Sequence, residues 1–209
     1  MRKHLTKVLL SGGVAALAIG IGATTAMAVT ATTWTITPGG AVTGSAGQTK
    51  LTDKTTGTVL TCASSATAAN LKKGSGQTNP IGKITSVTFT NCTGPGGLHF
   101  TATTSASTAH PWKLNASSFS GGVTHGSITG ITASISGSGC TATVAGITAT
   151  SKGKTTGTYT NSTHILKVSG GNLHVWNVSS GCLGLINSGD ASTFTGSYTI
   201  SPAQTITSP

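Results

Sequence analysis

Beyond position 28 this chain never sustains an apolar face at helical spacing. What recurs is alternation with period two, in short runs closed by Gly, Ser, Asn or Pro. TWTIT (33–37) sets Trp34 and Ile36 on one side, and TFTGSYTISP (193–202) sets Phe194, Gly196, Tyr198 and Ile200 on one side before Pro202. GTYTN (157–161), HILKV (164–168) and NLHVWNV (172–178) are β-prone runs of the same kind. Period-two alternation between Gly-rich turns predicts antiparallel strands. Only SSATAANLKKGSG (64–76) leaves room for a helical turn. The wealth of Thr fits this reading, because a β-branched side chain suits a pleated, half-buried face. The expected fold is therefore all-β: an antiparallel β-sandwich, or a partly closed barrel, immunoglobulin-like in size.

The first residues set the compartment. MRKHLTK is basic, VLLSGGVAALAIGIGA is an apolar run, and AMA ends at Ala28. That order is a signal peptide with an A-x-A cleavage site, and the apolar run is short for a membrane span. Residues 1–28 are read as the leader and 29–209 as a single secreted β domain. The closing TISPAQTITSP carries no apolar tail, so no transmembrane anchor is expected after cleavage. In an exported chain four cysteines imply two disulfides. Cys62, Cys92, Cys140 and Cys182 allow three connectivities, and spacing favours Cys62 with Cys92 and Cys140 with Cys182. By chain entropy such loops stabilise by about 3.5–4 kcal/mol each.

Charge is sparse and one-sided. The chain has two acids, Asp53 and Asp190, against twelve basic residues, of which Arg2, Lys3 and Lys7 fall in the leader. The remaining lysines are scattered and no Arg accompanies them, so no specific nucleic-acid readout is expected. Attraction to an anionic cell-envelope polymer or lipid headgroup is the partner class such charge allows, and solubility is its simpler use.

NSGDAS (187–192) and STAHPW (107–112) are close to the nucleophile and base contexts of a chymotrypsin-type protease. The residue after Asp190 is Ala191, which has no hydroxyl, and no carboxylate lies between His110 and that motif to orient a base. Asp53 in LTDKTT and Asp190 in NSGDAS read as turn residues, Asp53 at the surface, rather than as a glycosidase pair. No GxSxG elbow, P-loop or HExxH occurs. No catalytic, cofactor-binding or metal residue is assigned. His164 and His174 would approach each other only if HILKV and NLHVWNV formed a hairpin, and a third ligand would still be missing.

GKITSVTFT (82–90) and GSITGITAS (126–134) echo each other without gaps. In both, the apolar step is three residues, Ile84 to Val87 and Ile128 to Ile131, which breaks the pleat. A β-bulge near Ser86 and near Gly130 would restore the phase.

The order of short motifs is TITPGGAVTGSAG (35–47), TVLTC, then Ile84 to Cys92, Pro111-Trp112-Lys113-Leu114, Gly139-Cys140 and Phe194 to Tyr198. It resembles a group of small secreted bacterial β proteins that includes activators of alkane oxidation. The Gly, Ala and Thr richness suits an actinobacterial origin. The resemblance implies an extracellular β-sandwich and a link to hydrophobic substrates, and it supplies no catalytic residues. Two function classes are open to such a chain. One is a non-catalytic envelope or extracellular structural or binding protein, with edge-to-edge self-association as one mode of action. The other is a carrier of a lipid or hydrocarbon inside the β domain, with Trp34, Trp112 and Trp176 as lining candidates. A ligand site keeps a cavity, whereas a structural sandwich packs solid.

Overall fold

The computed structural model describes residues 32–209, and the leader expected over residues 1–28 lies outside them. The fold is all-β, with single 3-10 turns at Pro95–Gly97 and Ser180–Cys182. Thirteen strands join in one antiparallel sheet that closes on itself. Several are halves of longer staves. β2 (Gly40–Ala46) and β3 (Thr49–Asp53) form the first, since Ala46 pairs with Ser65 and Thr49 with Cys62 in one register. β4 (Val59–Leu71) and β6 (Gly82–Thr93) are the second and third. β7 (His99–Thr104) with β8 (Trp112–Ser120), and β9 (Val123–Ile131) with β10 (Ala133–Gly137), make the fourth and fifth. β11 (Cys140–Ala145) with β12 (Gly153–Thr160), and β13 (Ile165–Ser169) with β14 (Leu173–Trp176), make the sixth and seventh. β15 (Ala191–Ser201) is the eighth, and it returns to the first through Ser45 opposite Thr199 and Asp53 opposite Ser192.

Each stave pairs with its neighbours in the chain, so the architecture is an up-and-down barrel of eight staves. Of the two antiparallel forms left open by the sequence, closure selects the barrel. Among the described residues closure leaves no barrel stave with an unpaired edge. The 64–76 stretch lies in strand rather than in a helical turn. β4 runs to Leu71 because it is paired on both sides, by β2 and by β6, and this outweighs the helix propensity of its alanines. HILKV and NLHVWNV form no hairpin. They follow each other along the seventh stave, β13 pairing with β12 and β14 with β11, which separates His164 from His174 along its length.

Both expected bulges are present. Ala68 pairs with Ser86 and Ala69 with Ile84, leaving Thr85 as the extra residue in β6. Gly153 pairs with Ile131 and Lys154 with Thr129, leaving Gly130 as the extra residue in β9. Gly130 has φ +92°, which L side chains rarely adopt, so glycine suits this corner. The bulges return Ile84, Val87, Ile128 and Ile131 to the inner wall of the barrel.

Polarity is sorted inside to outside. Lys50, Lys83, Lys113, Lys154 and Lys167 stand exposed on five different staves. Val42, Ile84, Ile131, Ile135, Val144, Val168 and Leu173 are buried. A lipid-facing barrel carries its apolar band outside, the reverse of this arrangement. Among the described residues no helix is long and apolar enough to cross a membrane.

One end of the barrel is plugged. β1 (Trp34–Thr37), β5 (Gly74–Gln77) and β16 (Thr205–Thr207) form a separate small sheet in the order β16-β1-β5. It buries Trp34, Ile36 and Ile206 against Val42, Leu71, Ile81, Ala116 and Tyr159. Side-chain amides hold the plug like extra strand residues. Asn161 Nδ2 donates to Ile206 O at 2.9 Å while its Oδ1 accepts from Ile206 N at 3.0 Å, and Asn79 clamps the backbone of Ala116 in the same way. Tyr159 Oη donates to Gln204 O at 2.8 Å and accepts from Gln204 N at 3.2 Å.

The disulfides follow the nearest-neighbour pairing. Cys62 and Cys92 sit directly opposite each other on β4 and β6. Cys140, at the start of β11, holds Cys182 in the loop between β14 and β15.

Candidate functional site

The inner wall is apolar but does not fill the barrel. A central cavity of about 100 Å³ is lined by residues from all eight staves, among them Leu51, Ile84, Ile131, Val144, Leu173 and Phe194. Towards the plug a second cavity of about 90 Å³ shares Thr67, Ile84, Ile128, Leu166 and Val168 with it. Towards the other end a third, of about 110 Å³, shares Leu51, Leu60 and Ile135. The three therefore lie in series between the plug and the far mouth. Phe89 and Phe194 meet edge to face across the central chamber wall, with ring centroids 5.7 Å apart.

The three tryptophans that are candidates for lining this space occupy three different environments. Trp112 lines the central chamber, and its Nε1 donates to Ser105 Oγ at 3.2 Å. Trp34 lies in the plug core. Trp176 alternates with the buried Leu173 and Val175 on β14, is only half-buried, and donates from Nε1 to Gly146 O at 3.0 Å.

The chamber's polar groups are few and of two kinds. Tyr198 Oη and Ser65 Oγ share a hydrogen bond of 2.9 Å, Thr67 Oγ1 donates to Ser86 O at 2.9 Å, and Thr104 Oγ1 donates to Val87 O at 2.8 Å. Thr49 and Thr155 also stand in the chamber wall, and among the described residues their buried hydroxyls have no hydrogen-bond partner. Sequence reasoning missed both, because only the barrel register separates inward from outward threonines in so Thr-rich a chain.

Burial pushes the Tyr198 hydroxyl above its ordinary 10.0, with the Ser65 hydrogen bond pulling weakly the other way. Burial does the same at Tyr159, against the backbone hydrogen bond of Gln204. A folded-state value above the unfolded one stabilises fully below pH 10.0, and that contribution is lost as pH rises through the folded value. These are the only two tyrosines of the chain. Phenolate absorbance should therefore report both ionising late and together with alkaline unfolding. Reversible ionisation of either at its ordinary value in the folded protein would contradict their placement.

The mouth is crossed by the loop between β14 and β15. Thr56 Oγ1 donates to Leu185 O at 2.7 Å, and the Cys140–Cys182 disulfide holds the loop's other limb. Leu183 is 85 % exposed, and Leu98 and Leu185 are exposed near it on the walls of the third cavity. The only two carboxylates of the chain also meet here, and both close turns. Asp53 Oδ1 accepts from Thr55 N at 2.8 Å and Thr56 N at 2.9 Å, and Asp190 Oδ2 accepts from Asn187 N at 2.7 Å. The surface position expected for Asp53 is corrected: at the end of β3 it points inward, opposite Ser192, and is buried. At Asp190 burial acts to raise the carboxyl, but hydrogen bonds from the backbone and side-chain amides of Asn187 hold it below its ordinary value. Among the described residues no three His, Cys, Asp or Glu side chains gather as metal ligands. No family model, curated protein or solved structure matches the chain.

Proposed function

We propose that this is a secreted, non-catalytic binding protein that carries a small apolar ligand inside its barrel. The observation that supports this reading most is the series of largely apolar cavities along the barrel, the inner two lined by all eight staves. An eight-stranded barrel is wide enough either to be filled by its own side chains or to hold one small ligand. A chain selected only for rigidity gains stability by filling such space, since each unfilled methyl-sized volume costs about 1 kcal/mol. The polar outer wall and the two disulfides suit an extracellular setting, and the exposed leucines at the mouth give an apolar molecule a place to enter.

Trp112 makes the reading testable, because it is the one tryptophan on the chamber wall. Titration with 1-hexanol should change the intrinsic tryptophan emission. The change should vanish in Trp112→Phe, which retains Trp34 and Trp176. No change in the native protein, or one that persists in the variant, would count against the chamber as the site.

A further inference from the structure

Away from the chambers, the register of the outer wall gathers three of the lysines into one line. Lys83 on β6 pairs with Lys113 on β8, Lys113 pairs with Thr129 on β9, and Thr129 pairs with Lys154 on β12. Asn70 on β4 extends the line, opposite Lys83. Directly paired residues point to the same face of a sheet, and Lys83, Lys113 and Lys154 are all exposed. We propose that this row, running across the second to sixth staves, binds a linear polyol-phosphate polymer laid across the strands. The surface is separate from the chambers and serves whether or not they hold a ligand.

Adjacent strands lie about 4.8 Å apart, which sets Lys83 beside Lys113 and puts Lys154 about 10 Å beyond it. Like charges directly opposite each other destabilise a sheet. Here the repulsion has no local counter-charge, because the chain's two acidic side chains, Asp53 and Asp190, both close turns at the mouth. The row lies towards the other end, one residue into β6 and beside the plug residue Leu71. Solubility is met by lysines spread over the wall, as Lys50 and Lys167 are, and does not call for two face to face.

Lysine meets phosphate as a point charge, whereas planar, bidentate pairing with carboxylate favours arginine. No arginine occurs among the described residues. Between the lysines, Thr129 Oγ1 accepts from Asn115 Nδ2 at 3.2 Å and keeps its own proton to donate to a phosphate oxygen. The row carries no aromatic side chain on which bases could stack, so its chemistry suits a polymer of phosphate and polyol rather than a nucleic acid.

Fluorescence anisotropy of labelled poly(glycerol phosphate) with the oxidised protein tests this. The native protein should bind it at low salt, with an affinity that falls steeply as salt is added and counterion release loses its force. Lys83→Gln/Lys113→Gln/Lys154→Gln should weaken binding on the order of tenfold or more and flatten the salt dependence. Lys83→Arg/Lys113→Arg/Lys154→Arg should retain it, which shows that the loss comes from the missing charges and not from misfolding. Lys50→Gln/Lys54→Gln/Lys167→Gln has the same net charge as the first variant and should bind within about threefold of the native protein. Equal losses in the two glutamine variants would overturn the row as the site, since net charge alone would then account for binding. No binding by the native protein at low salt would overturn the proposal, as would binding of poly-glutamate or an oligothymidylate at least as tight as that of poly(glycerol phosphate).

Discussion

Replacing Trp34 by alanine should lower the unfolding free energy by about 3–5 kcal/mol, the range for deleting a fully buried aromatic side chain. That is a large part of the 5–15 kcal/mol by which domains are usually stable. Trp34 has 0 % exposure and lies with Ile36 and Ile206 in the core of the small sheet that stoppers the barrel. The loss reaches beyond a cavity, because that sheet brings the start of the described chain, in β1, onto its end, in β16. The Trp34 Nε1 is buried without a partner among the described residues, so Trp34→Phe removes an uncompensated donor along with some volume. Phenylalanine should therefore recover most of the stability that alanine loses. Denaturant unfolding of the two variants measures both. An alanine variant within 1 kcal/mol of the native protein would mean that the plug does not hold the barrel closed.

Removing either disulfide should cost nearly as much, with different local consequences. Loops of 30 and 42 residues correspond to about 3.5–4 kcal/mol each in the chain-entropy model. Cys62 and Cys92 cross-link β4 and β6, which are paired from Thr61 opposite Thr93 to Leu71 opposite Gly82. Cys62→Ala/Cys92→Ala should lower the global denaturation midpoint while leaving native-state amide protection in those strands in order. Cys140 and Cys182 instead hold the mouth loop, which is otherwise tied at its two ends by hydrogen bonds of Ser179 with Thr141 and of Gly189 with Val175, and along its length by Thr56 to Leu185. Cys140→Ala/Cys182→Ala should add fast hydrogen exchange across 178–190 to its global loss. Equal loop protection in both variants would show that the second disulfide does not govern the mouth.

How far the sequence could be read depended on whether a feature was local. The bulges were legible, because a three-residue apolar step is visible at Ile84–Val87 and Ile128–Ile131 and only an extra residue repairs it. Disulfide pairing was legible because short loops close most readily. Barrel closure was not, since it depends on Ser45 meeting Thr199 and Asp53 meeting Ser192 across most of the chain. A hairpin at 164–178 fails for the same reason: its two strands find partners on other staves instead of on each other. Asp53 looks like a surface turn because LTDKTT is polar, and it does cap a turn, but the pleat aims it inward. The candidate site shows this most sharply. Trp112 stands out by its size, whereas Thr49 and Thr155 are indistinguishable from outward threonines until their register is known.

The central claim is that the barrel interior holds a ligand, and native mass spectrometry of the oxidised protein from culture medium tests it most directly. Spectra taken before and after organic extraction should differ by one small, neutral, apolar molecule per chain, lost on extraction and regained on adding back the extract. An identical mass before and after, with no species regained, would contradict the carrier reading and turn attention to the outer wall and its lysines.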